Sequence, residues 1–97
     1  MNLRFSTLLL LLPFSSAFAA SPPQVTGQVL YQKNCQRCHG ADGKKGASGA
    51  HDLTKSNLNA FGRTYLVNNG MGKMPAFGKK LTPEQVKQVV EYSLTLK

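Results

Sequence analysis

The feature that most constrains this chain is a pentapeptide that contains both of its cysteines, Cys35-Gln36-Arg37-Cys38-His39. Two thiols at this spacing can form thioethers to one porphyrin, and the imidazole that follows them can reach the iron of the same group. The pentapeptide therefore predicts one covalently attached haem c, with Cys35 and Cys38 as thioether residues and His39 as an axial ligand of the iron. A chain with this attachment has to fold around a large apolar cofactor.

Three other interpretations of the pentapeptide fit the sequence less well. A structural zinc site needs four ligands, usually from two separated pairs, and His51 is the one further candidate. A thioredoxin-like thiol pair is expected beside a βαβ pattern, and the sequence has no alternating run long enough to indicate a strand. The third interpretation is a chance match, which the pattern of the first twenty residues, the small size of the chain and a downstream methionine disfavour.

The N-terminal segment has the pattern of an export signal. A short basic region at Arg4 precedes an apolar run around Leu8 to Leu12, and Ala17-Phe18-Ala19 forms an A-x-A cleavage site. The apolar run is shorter than the roughly 20 residues that a transmembrane helix needs. We therefore expect residues 1–19 to be a cleaved signal peptide, and residues 20–97 to form one soluble periplasmic domain with no integral membrane segment.

The small size of that domain is a second reason to expect a cofactor. Hydrophobic burial alone gives a chain of this length only marginal stability, so small exported domains usually carry disulfides. Here the two cysteines are three positions apart and could close only a very short loop. A covalently held apolar cofactor is the better supplement to the core.

The charge of the chain is strongly positive, with twelve Lys and Arg against four Asp and Glu and a formal net charge of +8. Such a balance favours fast encounter with acidic proteins. Nucleic acid is a less suitable partner, because an exported protein does not meet it and because the lysines are dispersed along the sequence. The composition therefore predicts acidic partner proteins and no nucleic acid.

Apolar periodicity predicts two helices before residue 71, separated by a loop from Gly40 to Gly49. The first helix runs up to Cys35 and has Gly27 and Tyr31 on one face, where a second helix could pack closely. The next helix is expected to begin near Ser56 or Asn57 and to end at residues 68–70, with Gly70 as a left-handed C′ residue. Its predicted apolar side consists of Leu58, Phe61, Tyr65 and Leu66.

The last helix has the clearest start signal of the chain. Thr82 is the predicted N-cap, Pro83 occupies the first helical position, and Gln85 completes a T-x-x-Q capping box. The predicted buried stripe of this helix consists of Val86, Val89, Val90 and Leu94, with Tyr92 and Leu96 beside it.

Several motifs recur together in the order of a known family. They are Gly27 and Tyr31 in the first helix, residues 35–40, the pair Asp52-Leu53, the run Met74-Pro75-Ala76-Phe77, and the closing helix from Thr82 with Tyr92. Through these motifs residues 24–96 resemble the small bacterial class I monohaem cytochromes c. The resemblance implies an all-α cytochrome c fold, in which three to four helices wrap one haem and Gly27 and Tyr31 meet the neighbourhood of Tyr92.

The resemblance also implies Met74 as the second axial ligand of the haem iron. A thioether is a soft neutral donor, and Pro75 stiffens the loop because it fixes φ and has no N–H. Ligation by His39 and Met74 would raise the reduction potential. The alternatives are that Met74 only fills the core, or that Met71, three residues earlier, takes its place.

His51 is a departure from the family pattern. Relatives commonly carry a proline there, whose carbonyl accepts the N–H of the proximal histidine. The carbonyl of His51 can accept the same bond, although from a less rigid loop. We interpret the imidazole of His51 as that of an ordinary loop residue; the alternative is that it lies near the haem and makes the potential depend on pH.

Five lysines flank segments that are expected to border the haem: Lys44, Lys45, Lys73, Lys79 and Lys80. They predict a positive rim that steers a transient encounter with acidic redox partners such as a reductase, an oxidase or a membrane cytochrome complex. The alternative is a merely solvated lysine surface.

The function implied is that of a monomeric one-electron carrier and not of an enzyme, because protein ligands at both axial positions leave no site on the iron for a substrate. The alternative is a haem-based peroxidase or ligand sensor, which needs a displaceable sixth ligand and polar distal groups.

Overall fold

The structure is a computed structural model and describes residues 8–13 and 23–97. The predicted cleavage motif at residues 17–19 and the basic region at Arg4 lie outside the described residues. Residues 8–13 have no regular secondary structure. Over the described ranges no helix has the length and apolar character required to cross a membrane.

The described part of the chain is helical and contains no strand. Its elements are α1 (Pro23–Asn34), α2 (Gln36–His39), a 3₁₀ turn (Ala47–Gly49), α3 (Ala60–Asn69) and α4 (Pro83–Ser93). One isolated antiparallel bridge joins Met71 and Met74. The predicted all-α class is confirmed, and the predicted loop from Gly40 to Gly49 contains only the 3₁₀ turn.

Helices α1 and α4 cross at Gly27, the position at which the sequence predicted close packing of a second helix. A Cβ on Gly27 would lie 2.4 Å from the carbonyl oxygen of Gln88 and 3.0 Å from the Cβ of Tyr92. One helical turn further on, the ring of buried Tyr31 lies 5.2 Å from that of Tyr92, centroid to centroid. The expected meeting of Gly27 and Tyr31 with Tyr92 is therefore observed.

Tyr31 also ties this crossing to α2. Its hydroxyl donates a hydrogen bond to the carbonyl of Gly40, the C-cap of α2. Burial raises the pKa of Tyr31 to about 12, so the hydroxyl keeps its proton and remains a donor at neutral pH.

Helix α4 begins as predicted. The backbone N–H of Gln85 donates to Oγ1 of Thr82 at 3.1 Å, and the N–H of Thr82 donates to Oε1 of Gln85 at 2.9 Å. These two bonds form the reciprocal capping box. Among the described residues, the main cluster of buried hydrophobic side chains is Tyr31 together with Val86, Val89 and Val90.

The predicted buried stripe is wrong at Leu94, which is 42% exposed. Leu94 is the C-cap of α4 and keeps helical dihedral angles, φ −72° and ψ −15°, but it lies one turn beyond Val90, the last α4 residue of the core cluster. Leu96 packs against the core instead.

Helix α3 departs from the prediction at both its start and its face. It begins at Ala60, because Oδ1 of the N-cap Asn59 accepts from the N–H of Gly62. Phe61 and Tyr65, expected on the apolar side, are 83% and 63% exposed. The side chain that is buried along this helix is Arg63.

The end of α3 is close to the prediction. The helix stops at Asn69, and Gly70 follows with φ 71° and ψ 173°. The positive φ is the property for which glycine was expected, but the extended ψ means that Gly70 is not a left-handed helical residue.

Candidate functional site

The helices enclose a cavity of about 700 Å³ that receives side chains from α1, α2, α3, α4 and the loops between them. This volume lies within the roughly 300–1,000 Å³ typical of small-molecule and cofactor sites. All four predicted site residues, Cys35, Cys38, His39 and Met74, line it. Much of the remaining wall is apolar and includes Leu53, Leu66, Val67, Phe77, Val89 and Val90.

A single helical turn carries three of the four side chains. The N–H of Cys35 donates to the carbonyl of Tyr31 at 2.8 Å, which continues the hydrogen bonding of α1. The carbonyl of Cys35 in turn accepts from the N–H groups of Cys38 and His39, at 3.2 and 3.0 Å. This turn holds both sulfurs and the imidazole beside the same cavity.

The environment of Cys35 does not favour a thiol redox site or a zinc site. Burial raises the pKa of Cys35 to about 11, and the neighbouring Cys38 adds to the increase. Reactive cysteine pairs of the thioredoxin type have a lowered thiol pKa. Within the described ranges, no group of three or more His, Cys, Asp or Glu could hold a metal ion.

The imidazole of His39 is oriented by one backbone carbonyl. Its Nδ1 lies 3.0 Å from the carbonyl oxygen of His51. A carbonyl oxygen can only accept, so Nδ1 carries the hydrogen and Nε2 keeps a free lone pair for a metal. The carbonyl of His51 thus has the acceptor role expected of it from the sequence, and the side chain of His51 is exposed.

The loop around His51 is held by hydrogen bonds and not by a proline ring. Oδ1 of Asp52 accepts from the N–H and the hydroxyl of Thr54, at 2.9 and 2.6 Å. The bond from the Thr54 hydroxyl holds the pKa of Asp52 below its usual range. The N–H of Leu53 also donates to the carbonyl of Gly43 at 2.9 Å. These contacts position the His51 carbonyl.

A short hairpin presents Met74. The N–H of Met71 donates to the carbonyl of Met74 at 3.1 Å, and the N–H of Met74 donates to the carbonyl of Met71 at 2.9 Å. The N–H of Phe77 donates to the carbonyl of Val67 at 2.8 Å, which fastens the hairpin to the end of α3. A Cβ on Gly70 would lie 2.6 Å from the carbonyl oxygen of Met74, so only glycine fits at that point.

Both methionines of the hairpin line the cavity, but they differ in exposure. Met71 is 65% exposed, whereas Met74 is half-buried. A sulfur that binds a metal inside the cavity has to be fixed in position. Met74 is more buried than Met71 and therefore meets this requirement better.

The lysines predicted to form a rim are all exposed, and Lys73 is the member of that set that lines the cavity. Lys55, which the sequence analysis did not single out, lines it as well. A smaller cavity of about 210 Å³ is lined by Lys33, Arg37 and Lys80, with Asn34, Pro75 and Phe77. Positive charge therefore lies on more than one side of the candidate site.

Arg63 is the site residue that the sequence analysis missed. It lines the cavity, and its guanidinium donates to oxygens of Leu53, Leu58 and Ser93. Arg63 precedes Leu66 and Val67 by three and four residues, which places the three side chains on one face of α3. This spacing indicates a site residue only once that face is known to be the inward one.

These features together fit a covalently attached haem. The cavity has the volume and the apolar wall for a large planar cofactor, two thiols on one turn, an imidazole nitrogen with a free lone pair, and a thioether on a fastened loop.

Comparison with known proteins gives matches over most of the chain. The family model described as cytochrome C oxidase, cbb3-type, subunit III matches residues 22–92. Cytochrome c6 of Gloeothece citriformis is 40% identical over 86 residues, covering 82% of this chain and 76% of the relative. Cytochrome c6 of Rippkaea orientalis is 34% identical over 102 residues, covering 94% and 91%. The range matched by the family model includes Cys35, Cys38, His39 and Met74.

Proposed function

The chain belongs to the small monohaem class I c-type cytochromes, and on that premise we propose that Cys35 and Cys38 hold its haem c through two thioethers. Members of this family carry electrons and are not enzymes. We further assign the two axial positions of the iron to His39 and Met74. The observation that carries this assignment is that all four side chains line one cavity of about 700 Å³.

Haem c supplies a one-electron couple at its iron. The protein would hold, orient and enclose this cofactor. The bond from Nδ1 of His39 to the carbonyl of His51 fixes the ring with Nε2 available for the metal. The hairpin bonds between Met71 and Met74 restrict the loop that carries the thioether. With His39 and Met74 both holding the iron, no site on it would remain for a substrate.

The proposal extends to the setting in which the protein works. Residues 1–19 are a signal peptide cleaved after Ala19, and residues 20–97 are a monomeric domain of the periplasm. Its partners are acidic redox proteins that bind transiently, since a carrier has to leave as readily as it arrives. The positive charge of the chain supports this choice of partner.

A pyridine haemochrome assay on the exported protein tests the proposal. We expect the spectrum of a haem with two thioethers, at one haem per chain, and no prompt binding of carbon monoxide to the reduced protein at neutral pH. The Cys35→Ala variant should show the spectrum of a haem with one thioether or lose the haem. A wild-type protein without haem absorbance would contradict the proposal, and prompt binding of carbon monoxide would favour the peroxidase or sensor alternative.

Electrostatic steering predicts a dependence on salt. Raising the ionic strength from about 0.01 M to about 0.15 M shortens the Debye length from about 30 Å to about 8 Å. We therefore expect the second-order rate of electron transfer to an acidic redox protein to fall severalfold, as measured by stopped-flow absorbance.

The matched variants for this measurement are Lys73→Gln, at the cavity, and Lys87→Gln, on the exposed side of α4. Both remove one positive charge, so Lys73→Gln should lower the rate at low salt more than Lys87→Gln. A rate that does not change with salt would remove the argument for steering.

A further inference from the structure

Arg63 is a buried cation in the wall of the cavity. It lies in α3 and is 9% exposed. Burial lowers the pKa of its guanidinium, which means that the surroundings make the positive charge costly. A positive charge that is buried in the protein needs a negative charge nearby to compensate it.

The hydrogen bonds of Arg63 fix the group without neutralising it. Nε donates to the carbonyl of Leu58 at 2.9 Å, and Nη2 donates to the carbonyl of Leu53 at 3.1 Å. Nη1 donates to the carbonyl and to the hydroxyl of Ser93, at 3.1 and 3.0 Å. All four acceptors are neutral oxygens, so the net charge of the guanidinium remains.

The geometry leaves room for one more partner. A guanidinium has five N–H donors, and the four bonds to Leu53, Leu58 and Ser93 leave one hydrogen of Nη2 without an acceptor among the described residues. Arg63 and all three acceptor residues line the cavity. An anion that compensates this charge can therefore come from whatever fills the cavity.

Resting on the proposed function, we propose that Arg63 is the internal positive charge of the haem site: it pairs with a carboxylate of the cofactor and favours the reduced state of the iron. Haem carries two carboxylates that are normally ionised. Ferric iron has one positive charge more than ferrous iron, so a fixed cation beside the cofactor disfavours the ferric state. The bonds to Leu53, Leu58 and Ser93 prevent the guanidinium from moving away when the iron changes charge.

Redox titration of three variants tests this role. Arg63→Gln removes the charge, Arg63→Lys keeps it without the fork of N–H donors, and Lys87→Gln removes an exposed charge from α4 as the matched control. For Arg63→Gln we expect the equilibrium constant for one-electron reduction to fall about tenfold, which corresponds to a midpoint potential lower by about 59 mV. For Arg63→Lys and Lys87→Gln we expect changes within about threefold, because the first keeps the charge and the second is screened by solvent.

Each other result overturns the proposal. An unchanged potential in Arg63→Gln would mean that the residue only supports the fold. An equal fall in Arg63→Gln and Arg63→Lys would mean that packing and not charge sets the potential. An equal fall in Lys87→Gln would mean that total charge matters and the buried position does not.

A measurement on the wild-type protein keeps the proposal testable if Arg63→Gln does not take up haem. In the reduced protein, a hydrogen on Nη2 that donates to a cofactor carboxylate should exchange slowly with water. It should also give a nuclear Overhauser effect to the methylene protons of the cofactor's propionate side chain. Absence of that effect would overturn the proposal. Absence of haem from the wild-type protein, by the haemochrome assay, would overturn the proposed function itself, so the two failures are distinguishable.

Discussion

Replacing Met74 with alanine is expected to abolish the methionine-to-iron charge-transfer band of the oxidised protein while the haem stays covalently attached. The substitution removes the thioether from the hairpin and leaves the pentapeptide that carries the two cysteines unchanged. The midpoint potential should fall, because His/Met ligation raises it. The reduced protein should also bind carbon monoxide promptly, since one axial position is then open. Visible absorption, redox titration and carbon monoxide binding measure the three effects.

The matched control is Met71→Ala in the same hairpin. Met71 also lines the cavity but is far more exposed, so its removal should leave the charge-transfer band in place. A band that survives in Met74→Ala and disappears in Met71→Ala would transfer the axial role to Met71.

Replacing Gly27 with alanine is expected to lower the free energy of unfolding by about 3 kcal/mol, at the upper end of the cost of overpacking. The new methyl group would lie 2.4 Å from a backbone oxygen of Gln88, so α1 and α4 would have to move apart. That movement would also disturb the contact between Tyr31 and Tyr92. Urea denaturation of the haem-loaded protein, followed by circular dichroism, measures the loss.

The matched control for this substitution is Gly62→Ala in α3. A Cβ at this position would lie 3.1 Å from Cδ2 of Leu58, a flexible end that can shift, and at an ordinary contact distance of 3.7 Å from Oδ1 of Asn59. Alanine is also favoured over glycine inside a helix by about 0.5–1 kcal/mol. We therefore expect Gly62→Ala to be neutral or stabilising. A loss equal to that of Gly27→Ala would show that the helix crossing is not the cause.

Features that depend on neighbours in the sequence could be predicted. The capping box of Thr82 and Gln85 needs only residues three positions apart, and both of its hydrogen bonds are observed. The pentapeptide likewise places Cys35, Cys38 and His39 on one turn, because its backbone bonds are local. Spacing alone was sufficient for these elements.

The inward face of α3 could not be predicted from its apolar residues. Phe61 and Tyr65 are apolar and exposed, whereas Arg63 is charged and buried. The burial of Arg63 depends on oxygens from Leu53 and Ser93, ten and thirty residues away in the chain. Hydrophobic periodicity reflects the hydropathy of neighbouring positions and does not depend on partners at that distance, which is why Phe61 and Tyr65 were expected on the inward face.

The carbonyl of His51 is an intermediate case. The family pattern indicated which backbone group should accept from His39, and the distance of 3.0 Å agrees with it. What holds this carbonyl without a proline could not be predicted, because it depends on the bonds of Asp52 to Thr54 and of Leu53 to Gly43.

The two walls of the cavity come from opposite ends of the domain. Cys35 and Cys38 lie near its start, whereas Val89, Val90 and Ser93 belong to its last helix. The thiols therefore leave the ribosome well before the surface that will face them exists. Contacts between such distant parts of a chain form late in folding. It follows that Cys35 and Cys38 stay accessible until α4 packs opposite them, and that the order of synthesis separates exposure of the thiols from closure of the cavity.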